Sequence, residues 1–190
     1  MISHTMVRIV ELKRKVEVRS TFKISAFIMA FVLSLVAAGL AVAQQTYSSA
    51  KVDYSVEFPS VTWRLMSEPD DTHQHAEWIY GDRLDGHLRI RKEAIEPDLT
   101  VKEFAHRDQD QKTRFLPGYV DGKEERFEGR LTGVTIAYEF TQSGKPMAGR
   151  TYYLQADSRT VYALRFTGLR DKFARIRNQT DAIARSFKLK

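Results

Sequence analysis

The sequence predicts an α+β domain in which an antiparallel sheet is flanked by helices in an α-β-α sandwich, behind an amino-terminal export signal. Three observations carry this reading. Apolar and polar residues alternate at period two in several short runs joined by turn-forming residues. Two other stretches carry helical spacing or a helix-start signature, and no parallel crossover repeat joins the strand runs. Finally, Ile24 to Ala43 is twenty residues without a charge.

That run follows Lys13, Arg14, Lys15, Arg19 and Lys23 and ends in Ala41-Val42-Ala43, with small residues at the last and third-last positions before Gln44. A basic leader, an apolar stretch and a small-residue site are the parts of a signal peptide, so cleavage is expected between Ala43 and Gln44. A run of this length is also long enough to remain as a transmembrane anchor. In either case the basic leader stays cytoplasmic and the body is delivered to a periplasm or cell exterior. Met6 is an alternative start to Met1. The organisation expected is residues 1–43 as signal, 44–50 as tether and 51–190 as a single α+β domain.

In the body, Val52, Tyr54, Val56 and Phe58 alternate with Asp53, Ser55 and Glu57 in a first strand stopped by Pro59. Trp63 and Leu65 mark a short second strand before the polar loop Ser67 to Thr72. Ala76 to Tyr80 and His87 to Ile95 read as a hairpin, with Gly81 and Asp85-Gly86 in the connection. Thr100-Val-Lys-Glu103 has the spacing of a capping box, with Leu99 and Phe104 placed to form a hydrophobic staple. The helix it starts should run to about Thr113 and end before Pro117-Gly118. Leu131 to Thr141, Ala148 to Gln155 and Arg159 to Thr167 follow as a meander with short turns. Leu169, Phe173, Ile176, Thr180, Ile183 and Phe187 then recur at helical spacing and give a terminal helix one apolar face.

The chain has no cysteine, which excludes disulfides, thiolate chemistry and a lipid-modified amino-terminal cysteine. Stability must therefore come from packing, for which about 150 residues suffice. Charge is unevenly placed. Residues 44–144 carry 13 basic and 19 acidic side chains, whereas 145–190 carry 11 and 3. The basic end attracts an acidic protein or an anionic membrane surface. Nucleic acid is not an expected partner of an exported chain.

Candidate chemistry is sparse. His73 and His75, near Asp70, Asp71 and Glu77, are weak metal-ligand candidates, since two imidazoles on one strand face still lack a third and fourth ligand. Glu103 and His106 share a helix face, but Glu103 is needed by the cap. Asn178-Gln-Thr180 matches a glycosylation sequon but puts Thr180 on the apolar face of the last helix. There is no Gly-x-Ser-x-Gly elbow, and the paired carboxylates Asp108/Asp110 and Glu124-Glu125 read as solvated charged segments. No catalytic residue, cofactor or firm metal site is called for. The best surface candidates for partner binding are Arg170, Lys172, Arg175 and Arg177 of the terminal helix, which with Arg185 are distributed over its flanks and back rather than along one stripe, as on a solvated face.

Tyr54-Ser-Val-Glu-Phe-Pro-Ser60 with Trp63, Gly149-Arg-Thr-Tyr-Tyr-Leu154, Val161-Tyr-Ala-Leu164 and Ile183-Ala-Arg-Ser-Phe187 occur in an order that resembles the PsbP-like superfamily, which includes DcrB-type exported proteins and a Ran-binding import factor. The likeness spans nearly all of residues 51–189. It implies a mostly noncatalytic domain that binds a partner or assists an assembly, here an envelope protein or complex. The alternative reading is a small ligand-binding, metal-binding or hydrolytic envelope protein.

Overall fold

A computed structural model describes residues 44–190, so the expected signal, its cleavage site after Ala43 and the possible anchor lie outside the described residues. Among the described residues no helix is long and apolar enough to cross a membrane. The elements are β1 (Gln45–Ser48), β2 (Tyr54–Phe58), β3 (Trp63–Ser67), β4 (His75–Tyr80), β5 (Asp82–Ala94), α1 (Val101–Lys112), β6 (Val120–Glu128), β7 (Thr132–Gln142), β8 (Lys145–Asp157), β9 (Thr160–Leu169), α2 (Arg170–Ser186) and β10 (Lys188–Leu189). Seven strands form one antiparallel sheet in the order β3-β4-β5-β9-β8-β7-β6, and β1-β2-β10 form a small antiparallel sheet beside it.

The period-two pattern decides what each face of the large sheet meets. On β8 and β9, Tyr152, Leu154, Tyr162, Leu164 and Phe166 point to the face covered by α2 and β2. There they join Trp63, Trp78, Phe173, Ile176, Ile183 and Phe187 in the main core. The intervening residues Tyr153, Val161 and Ala163 point to the opposite face, where Ala105, Phe104 and Val101 of α1 cover them. The molecule is thus sheet-rich α+β, with one helix on each face of the large sheet.

The predicted helices appear where their signals placed them. Thr100 caps α1 reciprocally with Glu103, its hydroxyl accepting from the Glu103 N–H at 3.2 Å while its own N–H donates to the Glu103 carboxylate at 2.9 Å. The β7–β8 turn is tight because Ser143 and Gly144 both take positive φ, 51° and 73°, as a two-residue hairpin turn demands.

Two expectations need correction, and one strand was missed. Residues 44–50 are not a tether: Gln45 to Ser48 pair with β2 as β1, held because Tyr47 packs edge-on against Trp78 with centroids 4.9 Å apart. Asp85-Gly86 is not the hairpin turn. Gly81, at φ 67°, makes the turn, and Gly86 lies under α2, where a Cβ would sit 2.7 Å from Cδ1 of Ile176. Strand β6 went unpredicted because its only large apolar residues are Val120 and Phe127. As an edge strand it pairs on one side alone and carries the charges that discourage further pairing.

Candidate functional site

The face of the sheet under α1 is apolar beneath the start of the helix and polar beneath its end. The inward stripe of α1 runs Val101, Phe104, Ala105, Asp108, Gln109 and Lys112, so its last turn carries a carboxylate, an amide and an ammonium toward the sheet. Opposite it, the outward members of the alternating strands place Glu77 on β4, His87, Arg89 and Arg91 on β5, Thr151 and Tyr153 on β8 and Arg165 on β9 on the same surface. Glu77 is opposite Arg89, and Arg89 is opposite Arg165.

Asp108 is 2% exposed and is held by four donors. Arg91 donates to one oxygen at 3.2 Å, with Lys112 at 2.6 Å from the same atom. Tyr153 and Arg165 donate to the other at 2.8 and 2.7 Å. Burial alone would raise the Asp108 carboxyl, but Lys112, the Arg165 charge, Tyr153 and Arg91 together hold it below its ordinary value. Gln109 extends the network by donating to the Tyr153 hydroxyl at 3.1 Å.

Glu77 is the second centre. Arg89 donates from Nε at 2.8 Å and approaches from Nη2 at 2.7 Å, His75 Nε2 lies at 3.1 Å, and Arg83 and His87 lie at 3.3 Å from the other oxygen. Against the upward push of burial, Arg89 and His87 bring the Glu77 carboxyl below its usual range. Burial pushes both His75 and His87 down, with Glu77 partly opposing, so both are set toward the neutral form.

The sign of the resulting pH dependence is fixed. Asp108 and Glu77, with folded values below their unfolded ones, stabilise the fold fully above ~4 and lose that contribution as pH falls through the lower folded values. His75 and His87 take up a proton more readily when unfolded, so stability also falls as pH drops below ~6.5. Urea midpoints measured from pH 8 to pH 3 should fall in these two windows, and His87→Gln should flatten the first. A midpoint that rises on acidification from pH 7 to pH 5 contradicts this.

The sequence-predicted candidates are dispersed. The His73 and His75 rings are 5.8 Å apart, but His73 Nδ1 faces Asp70 at 3.4 Å while His75 Nε2 faces Glu77. Among the described residues no three acidic or imidazole ligands converge on a metal position. Glu103 is occupied by the cap, and His106 Nε2 lies 2.9 Å from Glu124. Thr180 of the sequon is fully buried. On α2, Arg170 reaches Glu139 at 3.3 Å, Lys172 reaches Asp85 at 3.4 Å and Arg185 donates to the Glu128 carbonyl at 2.5 Å. Arg175 and Arg177 are exposed and make no ion pair among the described residues.

Asp108 itself was misplaced: it is not a solvated charge but the buried anchor of α1. Its signal was present in the helical stripe from Phe104 to Lys112, which puts Asp108 one turn beyond Phe104 on the inward face. The arrangement as a whole offers binding groups, and none of its carboxylates is free of cations to act as a base.

No protein-family model matches the chain, and no curated protein matches it in sequence. Solved structures match it in fold. The Ran-binding protein Mog1p of Saccharomyces cerevisiae has a TM-score of 0.57 at 7% identity, over 78% of this chain and 96% of that one. Cyanobacterial PsbP (CyanoP) of Synechocystis has a TM-score of 0.55 at 14% identity, over 80% of this chain and 96% of that one. LpqN of Mycobacterium tuberculosis, involved in cell envelope biogenesis, has a TM-score of 0.50 at 14% identity, over 77% and 91%. A Bacteroides thetaiotaomicron protein matches at TM-score 0.55 and 12% identity over 77% of this chain, which spans 48% of its length. Identities this low speak to fold alone. The chain has the PsbP-like fold.

Proposed function

We propose that the chain is an exported, noncatalytic domain that binds an acidic protein of the cell envelope through the exposed basic residues of α2. The observation that carries this is the cationic surface itself. Arg175 and Arg177 stand exposed without a contact ion pair among the described residues, the Arg177 charge reaching Glu125 at longer range. Arg177 shares one flank of α2 with Arg170 and Arg175 the other with Lys172, and the partners of Arg170 and Lys172 are surface carboxylates. Exposed ion pairs of that kind are weak and exchange readily for those of a partner. The structural neighbours give the reading its class: one binds Ran and another takes part in envelope biogenesis. Cleavage after Ala43 would leave β1 whole, since that strand begins at Gln45.

The test is crosslinking and capture of the full-length protein from its native host, with mass spectrometry of both the prey and the mature amino terminus. One reproducible envelope protein and a terminus at Gln44 are expected. Lys172→Glu, Arg175→Glu and Arg177→Glu combined should abolish capture, and raising salt from ~50 to ~200 mM should weaken it several-fold. Capture that survives both treatments contradicts the reading.

A further inference from the structure

Beside the Asp108 network a cavity of 210 Å³ opens between the end of α1, the following Leu116 and the sheet. Its walls include His87, Arg89, Lys112 and Arg165, with Leu116 and Phe140 as an apolar side, and no carboxylate lines it. We propose that this cavity binds the phosphate group of a small molecule.

Charge is the first argument. The ion-pair network behind the cavity contains five permanent cations, Arg83, Arg89, Arg91, Lys112 and Arg165, but only three carboxylates, Glu77, Glu93 and Asp108. The wall itself presents three of these cations, Arg89, Lys112 and Arg165, and none of the three carboxylates. Moreover, Arg89 and Arg165 stand directly opposite each other on β5 and β9, and like charges in that position destabilise a sheet. An anion in the cavity offsets both.

Unmatched donors are the second argument. Arg165 Nε and the Tyr138 hydroxyl are buried without a hydrogen-bond partner, and both residues form the cavity wall. Tyr138 is held in place by shape: its ring crosses Gly149, where a Cβ would lie 2.2 Å from Cζ and 2.6 Å from the hydroxyl oxygen. A side chain at residue 149 would displace that hydroxyl.

The same donors select the shape of the anion. Arg89 gives Nε and Nη2 to Glu77 and Arg165 gives Nη2 to Asp108, so Arg89 keeps Nη1, Arg165 keeps Nε and Nη1, and Lys112 adds an ammonium. Donors from three elements, β5, β9 and α1, thus surround the cavity, which suits a tetrahedral oxyanion. Leu116 and Phe140 accommodate a short carbon body attached to it. The cavity lies on the face of the sheet opposite α2, so this inference does not rest on the partner surface.

The experiment is calorimetric titration of the full chain with inorganic phosphate and with glycerol phosphate at ~50 mM salt, where exposed charges are only partly screened. Vesicle flotation, with and without phosphatidylglycerol, accompanies it. Saturable binding is expected, weakened about tenfold by Lys112→Met and about fivefold by Tyr138→Phe, the worth of one ionic contact and one hydrogen bond. Lys188→Met on β10 should leave it unchanged. Tyr138→Phe should keep or raise the urea midpoint, because it deletes a buried hydroxyl that has no partner, so a loss of affinity there is not a loss of fold. Vesicle binding that Lys112→Met removes identifies a lipid headgroup as the phosphate source. Titration without vesicle binding identifies a soluble phosphate ester or phosphate itself. Absence of saturable binding in every arm, or wild-type affinity in either Lys112→Met or Tyr138→Phe, overturns the proposal.

Discussion

Asp108→Ala should lower the stability of the domain by about 3–5 kcal/mol, the cost of removing one partner from a buried ionic group. The size follows from what is left behind. Arg91 and Arg165, with side chains 19% and 17% exposed, would lose the carboxylate they share, and the buried Tyr153 hydroxyl would lose its acceptor. Lys112 is better placed to escape into solvent, being at the end of α1, and both Lys112 and Arg91 keep Glu93, at 3.2 and 3.1 Å, so Arg165 is the cation left most stranded. Asp108→Asn keeps the shape and an acceptor for Tyr153 while deleting the charge, so it should fall between wild type and alanine. Urea unfolding at pH 7 measures both. The decisive control is Arg165→Met in the Asp108→Ala background: if the penalty comes from a stranded cation, the double variant should be more stable than Asp108→Ala alone. A cost below about 1 kcal/mol for Asp108→Ala would place the carboxylate among surface ion pairs instead.

That network also explains which parts of the molecule could be seen in the sequence. Strand alternation found β2, the β4–β5 hairpin and the β7-β8-β9 meander, because each has at least one face whose apolar set recurs at period two. It treated the other face as wet. In β5, Leu88 and Ile90 alternate with Arg89 and Arg91, a pattern that by itself reads as one apolar face and one face open to solvent. The structure covers that second face with α1, so the polar members of the alternation become a half-buried layer of their own. Single-strand periodicity cannot distinguish a polar face under a helix from one under water. The inward stripe of α1 could, because Asp108 and Lys112 continue the positions of Val101, Phe104 and Ala105.

Where sequence reading failed on the fold, the reason is the same weakness of local signals at edges. Strands β1, β6 and β10 hold their places by backbone pairing with one neighbour and by few apolar contacts. The resemblance to PsbP-like proteins did better, since it rested on packing residues. Trp63, Tyr152, Leu154, Tyr162, Leu164, Ile183 and Phe187 all fall in the main core. Gly149, the first residue of one matching segment, has a steric reason in the Tyr138 ring.

Trp63 is the second position from which a large effect is expected: Trp63→Ala should cost about 3–5 kcal/mol, as for other buried aromatic truncations. It is the one fully buried side chain of β3, whose Arg64, Leu65 and Met66 are all exposed. Its ring lies 5.9 Å from Phe58, 5.4 Å from Tyr80 and 6.0 Å from Phe166 between centroids, and its indole N–H donates to Gln179 of α2 at 3.1 Å. One side chain therefore ties an edge strand to the small sheet, the large sheet and a helix. Trp63→Phe keeps an aromatic in the core but strands the Gln179 acceptor, and should cost less than alanine by the difference in buried volume. Because β3 pairs with β4 alone, the loss should also be local. Hydrogen exchange of Trp63→Ala should speed up at the β3 and β4 amides before those of β8, which is paired on both sides by β7 and β9. Uniform loss of protection across β3 and β8 would instead mean that the edge and the centre of the sheet open as one unit.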